Sequence, residues 1–306
     1  MNMITRMDAI GPVSYLFVGA VSAIVGLLPW LVTGMRLPVQ NLWAVDVSAA
    51  EMPLTLLPFS QYTITLLVAV MVTGSAIAGG LARATRSRQP RFELVALVVG
   101  VQIVQVGATV QTAVTVATGL VDSTAANVYL YGLTAGTIAA NLVGLLVLLL
   151  VARAPAPGAV IAVSLAAVAM GPWLAGLIAR PFTFTATETA MALLSAARWV
   201  PAVIVGLAVA RCGLTTIGRV AAAVVGFLAL WIGPAVFTAV SAATGSRVLA
   251  ARPAEMVDYG AQVFVNALGV QGGSASLLIP AVGVMVLGLI VGRGVRRRRL
   301  EQVSAA

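Results

Sequence analysis

Apolar residues run through the chain in eight long blocks, near residues 12–34, 61–82, 94–119, 130–152, 158–180, 188–210, 220–241 and 276–292. A helix needs about 20 residues to cross the roughly 30 Å hydrocarbon core of a bilayer, and every block is about that long. Backbone groups in hydrocarbon have no water to bond, so such runs are predicted to be helical, and the weak alternation of barrel strands is absent. The pattern predicts an all-α, polytopic integral membrane helical bundle of about eight transmembrane helices. One membrane domain over residues 1–295 and a basic tail over 296–306 account for the chain. The first block follows a charged start, "MNMITRMDAIG", but is too long for the 7–15-residue apolar region of a signal peptide and is expected to stay as the first span.

Between the blocks, two connections on one side are long. Residues 35–59 hold Ser48 and Glu51 at capping-box spacing, which predicts a short surface helix. In 242–275, Pro253 suits a first helical turn, and Glu255, Asp258, Gln262 and Asn266 step along one face, with Met256, Val263, Phe264 and Leu268 largely elsewhere. That arrangement predicts an amphipathic helix at the membrane interface, ended by Gly272 and Gly273. It serves as a plain connector, a partner-binding surface or a lid. A weaker theme recurs: late prolines in "GLLPWLVTG", "AMGPWLAG" and "WIGPAVF", each followed by a span opening on "LLPFS", "WVPAV" or "LIPAV". Spans 1–2, 5–6 and 7–8 are thus candidate related hairpins.

Charge adds orientation. The 306 residues are 60% apolar and 9% charged, all 18 basic residues are arginine, and the net charge is +9. The arginines sit at block ends without aromatic interleaving, so they read as membrane topology rather than as a nucleic-acid surface. With the N-terminus inside, the inner segments hold thirteen: Arg6, Arg83, Arg86, Arg88, Arg91, Arg153, Arg211, Arg219, Arg293 and Arg296 to Arg299. The outer segments hold only Arg36, Arg180, Arg247 and Arg252. Positive-inside counting therefore places both termini in the cytoplasm and the protein, as a multi-pass chain, in the plasma membrane, the inner membrane of the cell. Arg296, Arg297, Arg298 and Arg299 form a stop-transfer anchor, with anionic lipid headgroups as the alternative partner at about 1 kcal/mol per arginine.

Missing residue types narrow the chemistry. Without histidine, and with Cys212 as the sole cysteine, the chain forms neither an internal disulfide nor a usual zinc cluster. Without lysine there is no phosphate-binding loop of the glycine-lysine type, and no span carries an internal carboxylate for ion coupling. No catalytic, cofactor-binding or metal-binding residue is assigned, and a non-enzymatic role is expected.

Polar or small-residue features remain in three spans. Span 3 carries Gln102, Gln105, Thr109 and Thr112 on one side and Gln111, Thr115 and Thr118 on another. Unsatisfied amides are costly in hydrocarbon, so span 3 is expected inside the bundle, where these groups either glue helices together or line a solute path. Span 4 places Gly132, Gly136, Ala140 and Gly144 four apart, a groove for close helix approach, with Asn141 beside it. Span 6 contains Arg198 and Pro201. A capping box at Thr185 and Glu188 would put Arg198 about 18 Å along its helix, facing the bundle and paired, with Glu188 and Asp122 as the nearest acids and the Ala197 carbonyl freed by Pro201.

The stretch "LPWLVTGMRLPVQNLWAVDVSAAEMPLTLLPFSQYTITLLVAVMVTGSAIAGGLARATR", residues 28–87, resembles the PerM-like family of actinobacterial membrane proteins. The likeness is a span ending in Trp-Leu, an outer loop, and a "PLTLLPF" entry into a small-residue span closing on arginine. It covers about a fifth of the chain and implies a non-enzymatic protein that supports cell division or the envelope by holding other membrane proteins. The expected function is therefore contact with such partners through the loops 35–59 and 242–275 and the groove of span 4. The alternative is a transporter or channel subunit for a small solute, anions included, with Arg198 and the span 3 glutamines in its path.

Overall fold

The computed structural model describes residues 11–86, 92–179, 187–246, 248–249, 252–269 and 271–304, with side chains through residue 294. Its helices are α1 (Pro12–Leu31), α2 (Ile64–Ala84), α3 (Glu93–Gly119), α4 (Thr124–Arg153), α5 (Ala156–Ile178), α6 (Glu188–Ala197), α7 (Val200–Cys212), α8 (Ile217–Gly245), α9 (Pro253–Leu268) and α10 (Leu278–Ser304). Among the described residues β structure is limited to two isolated antiparallel bridges, Arg36 with Leu54 and Trp43 with Leu120. Eight helical segments are long and apolar enough to cross a membrane. The chain is an all-α, multi-pass bundle, and the apolar blocks match its spans one for one. The sixth span differs from the rest because it is α6 and α7 together, interrupted at Arg198 and Trp199.

Within the region expected as one membrane domain, the chain forms two compact units: residues 1–153 with 176–185, and 154–175 with 186–306. In the first unit, Tyr15 and Ala23 of α1, Ala78 and Ala82 of α2, Leu97 and Val101 of α3, and Leu148 and Ala152 of α4 share one buried cluster. The helices approach at glycines, because lipid gives no hydrophobic drive between them and close backbone contact supplies the attraction instead. Gly19 of α1 lies on the Leu97 carbonyl of α3, and Gly100 of α3 lies on the Leu16 carbonyl of α1. A Cβ on Gly26 would stand 2.6 Å from the Gly74 Cα of α2, and one on Gly79 2.7 Å from the Leu148 oxygen of α4.

The second unit packs by the same device. A Cβ on Gly226 of α8 would meet Ser164 Oγ of α5 at 2.7 Å, and one on Gly288 of α10 would meet Ala210 Cβ of α7 at 2.6 Å. Val160, Ala167, Ala202, Val205, Val209, Leu230 and Ala281 belong to its core.

Three expectations about connections change. Ser48 and Glu51 do bond, the Ser48 amide and hydroxyl both donating to Glu51 Oε2 at 2.9 and 2.8 Å, but they close a single turn rather than a helix. Pro53 stops it, since a proline holds the residue before it out of the helical region. The helix of the second long loop starts at Pro253, as its sequence requires, but ends at Gly269 rather than at Gly272 and Gly273. It also does not stand apart at an interface. It runs back along α8, where a Cβ on Gly260 would stand 3.3 Å from Ala243 Cβ and Trp231 Nε1 donates to the Leu268 carbonyl at 2.9 Å. Met256, Val263, Phe264 and Leu268 are half-buried and Glu255, Asp258, Gln262 and Asn266 are exposed, as their spacing predicts.

Candidate functional site

Most of the polar side chains of α3 are consumed by the protein itself. Gln105, fully buried, donates through Nε2 to the Met71 carbonyl at 2.8 Å and to Ser75 Oγ at 3.2 Å, and its Oε1 accepts from Asn141 Nδ2 at 2.9 Å. One carboxamide thereby ties α2, α3 and α4 together, and Asn141 finds its bond beside the span 4 groove. Gln111 works at the end of the helix: Oε1 accepts from the Leu56 amide at 2.9 Å, while Nε2 donates to the Leu54 carbonyl at 3.1 Å and to Thr115 Oγ1 at 3.2 Å. Thr112 Oγ1 accepts from the Leu57 amide at 3.0 Å. Gln102 Nε2 and Glu93 Oε2 are the exceptions on this helix, buried without a partner among the described residues.

These bonds fix the segment 36–60 as a shaped cap. Trp30 Nε1 donates to the Thr55 carbonyl at 2.7 Å, and Arg36 Nη1 donates to the Met52 carbonyl at 2.6 Å. Tyr129 Oη donates to Gln40 Oε1, and Gln40 Nε2 donates to the Pro38 and Phe59 carbonyls at 2.9 and 3.2 Å. Trp43 lies over Gly119, where any side chain would collide with its indole, and the Ala44 amide donates to the Gly119 carbonyl at 2.9 Å. Leu37, Met52, Leu57 and Phe59 are buried beneath, leaving Val39, Val45 and Leu54 more than half exposed. The two bonds from Ser48, its amide contributing more than its hydroxyl, hold the Glu51 carboxyl below the usual carboxylate range.

The span 4 groove divides. Ala140 is buried, and a Cβ on Gly144 would stand 2.8 Å from Ser75 Oγ, so this half packs on α2. Gly132 and Gly136 are exposed, and among the described residues a Cβ on either meets nothing within 4 Å.

In the second unit the N-cap of α6 is Thr187, whose hydroxyl accepts from the Ala190 amide at 3.2 Å; Thr185, the expected cap, lies outside the described residues. The helix starts at Glu188 and stops at Ala197, with Pro201 in the first turn of α7, where its missing N–H costs nothing. Arg198 therefore sits at a helix break. It is exposed rather than facing a core. Its partners are neither Glu188 nor Asp122: Nη2 donates to Ser276 Oγ at 3.3 Å, and the guanidinium carbon lies 4.7 Å from the centre of the Trp199 ring. Among the described residues the ion pair is Arg252 with Glu255, at 3.3 Å. The break supplies the reason. Once the helix ends, the long side chain no longer has to lie against a neighbouring span and reaches past its own indole to the next element.

Trp30, Gln40, Tyr129, Ser75, Trp231 and Ser276 escaped the sequence reading. Only the tryptophans carried a signal, since a buried indole N–H requires an acceptor. Arg296, Arg297, Arg298 and Arg299 continue α10, and their side chains lie outside the described residues. Compared with known proteins, the chain matches no family model, no curated protein and no solved structure.

Proposed function

We propose that this is a non-enzymatic membrane protein that works by contact, holding other membrane proteins in the division or envelope machinery of the cell, with the 36–60 cap facing outward. The observation that carries the reading is the use made of α3: Gln111 and Thr112, which a solute path would need free, are spent on fixing the cap in one shape. A recognition surface benefits from such preorganisation, because the ordering entropy is lost on folding rather than on binding. The exposed Val39, Val45 and Leu54 supply apolar contact, and Gly132 and Gly136 on α4 supply an approach surface that the described residues leave uncovered. The division and envelope setting comes from the likeness of residues 28–87 to the PerM-like family.

A second reading, transport of a small solute, draws on the other unit. There the polar face of α9 descends along α8, and the sixth span breaks at an arginine, the kind of discontinuity that transporters place at binding sites. One pair of experiments separates the two. A photocrosslinking residue at Val45 or Leu54 of the intact protein is expected to capture the same membrane partner from either position, and Leu54→Asp is expected to abolish the capture. Failure to crosslink at either position, together with solute flux in vesicles that Arg198→Gln abolishes, would replace the contact reading with the transport one.

A further inference from the structure

The connection between the last two spans does not stay at the membrane surface. Its depth can be counted along three helices, each from an arginine of the same face, at 1.5 Å per residue. Trp231, whose indole N–H holds the Leu268 carbonyl at the end of α9, stands about 18 Å above Arg219 along α8. Arg198 stands about 20 Å above Arg211 along the sixth span. Ser276, which accepts from Arg198 at 3.3 Å, stands about 25 Å above Arg293 along the last one. Tilt only shortens these heights, so all three points lie within the roughly 30 Å hydrocarbon core. The turn after α9 lies there too, because Gly272 is pressed on the Asn266 carbonyl and the Ala267 backbone, and a Cβ on Gly273 would come within 3.5 Å of Arg198 Nη2.

Along α9 the polar residues are graded by depth. Asp258 and Glu255 lie about 12 and 17 Å above Asn266, at and beyond the edge of the core, so the carboxylates stay out while the amides of Gln262 and Asn266 go in. All four are exposed, as are Arg198 and, in the turn, Gln271 and Gly272. Irregular backbone at membrane depth is tolerated where protein buries it or where it lines water, and it does not face lipid. Here it is uncovered, and an unbroken polar strip runs from it to the aqueous phase. Water that follows the strip inward satisfies the amides, the turn and the guanidinium together, each of which is costly in hydrocarbon.

We infer that α9 is a re-entrant helix whose polar strip lines a water-filled recess, open at Glu255 and Asp258 and ending at Asn266, Gln271 and Arg198. Its occupants are water and small hydrophilic solutes, which it admits to about 10 Å below the membrane edge. It rests on the membrane-spanning reading of the second unit and gives the transport reading an entrance. The contact reading rests on the first unit and on partner capture, so either can fail without the other.

The test uses the intact protein in cell membranes, with Cys212, the sole cysteine, replaced by serine and single cysteines placed at Asp258, Asn266 and Gln271. Val236→Cys, on the exposed apolar side of α8, is the lipid-facing control. A small membrane-impermeant methanethiosulfonate reports water, because a thiol reacts as its thiolate. Asp258→Cys, Asn266→Cys and Gln271→Cys are expected to react from the face opposite Arg219, on the order of tenfold or more faster than Val236→Cys. A maleimide carrying a bulky polyethylene glycol is expected to reach Asp258→Cys and not Asn266→Cys, as the depth of the recess requires. If Asn266→Cys fails to accumulate, Gln271→Cys carries the decision. Reaction of Asp258→Cys alone, with Asn266→Cys and Gln271→Cys as slow as Val236→Cys, would mean that lipid or protein covers the strip and overturns the inference. Equal reaction of Asp258→Cys, Asn266→Cys and Gln271→Cys with the bulky maleimide would place α9 on the surface and overturn it as well.

Discussion

At the scale of single residues, the first unit depends on polar groups whose value lies in having every bond made. Gln105 makes three side-chain bonds to two neighbouring helices, and such bonds in membrane proteins average about 0.6 kcal/mol each. Gln105→Leu keeps the volume and loses all three, so a destabilisation of about 1–2 kcal/mol is expected, read from detergent-solubilised thermal unfolding; an unchanged midpoint would mean that the carboxamide holds nothing. Glu51 gives a pH-dependent counterpart on the cap. Its folded carboxyl titrates below its ordinary value, so whatever its bonds to Ser48 contribute is present above that ordinary value and is lost as the pH falls through the lowered one. Exchange of the Ser48 amide hydrogen is expected to quicken across that acidic window, and Glu51→Gln is expected to flatten the response. Neither Gln105 nor Glu51 was hidden in the sequence: an amide in hydrocarbon has to be satisfied, and Ser-x-x-Glu is a local motif. The partners were hidden. Gln111 bonds to Leu56, 55 positions away, and no pattern along the chain encodes such a distance.

Among the helices, the spans were legible because only length and apolarity decide them, and all eight stand where the hydrophobic pattern put them. What was not legible is which of the 30 glycines bring helices together. The period-four stripe on span 4 marked Ala140 and Gly144, which pack on α2, but also Gly132 and Gly136, where a Cβ meets nothing among the described residues, and it missed Gly19 and Gly100, which no stripe announces and which sit on the carbonyls of the opposing helix. Spacing reports that a smooth face exists, whereas contact depends on where a second helix crosses. Opposite outcomes follow from substitution. Gly19→Val or Gly100→Val forces α1 and α3 apart and is expected to cost several kcal/mol or prevent accumulation of the protein, in line with the overpacking of a tight contact. Gly132→Ala and Gly136→Ala are expected to leave the thermal midpoint within about 0.5 kcal/mol of wild type, the effect of an open surface position. The break in the sixth span belongs to the same lesson. Pro201 advertised a disturbance, but Pro201 occupies a comfortable first-turn site, and the interruption falls earlier, at Arg198 and Trp199.

For the whole molecule, helix pairing repeats across the two units. In the first, α1 packs on α3 and α2 on α4; in the second, α5 packs on α8 and α7 on α10, so in each unit the first span meets the third and the second meets the fourth. The opening spans of both carry Pro-Trp-Leu, at residues 29–31 and 172–174. The prolines of spans 1–2 and 5–6 fit a period of four spans, whereas the third expected hairpin, spans 7–8, has no proline counterpart in spans 3–4. The sixth span is decisive for topology. Its continuous part, α7, has 13 residues and covers about 20 Å, short of the roughly 30 Å core, so the crossing is complete only if α6 contributes beyond the break. Between the cap and residue 214 lie spans two to six, five crossings, an odd number. With the buried Cys212 replaced by serine, a cysteine placed at Asp46 and one placed at Leu214 are therefore expected to react from opposite sides, the first with a membrane-impermeant maleimide on intact cells and the second only after permeabilisation. Reversed labelling would turn the cap toward the cytoplasm and move the partners of the contact reading there with it. Labelling of both from one side would mean that the interrupted span does not cross, and the arginine at its break would then lie at a surface rather than within the membrane.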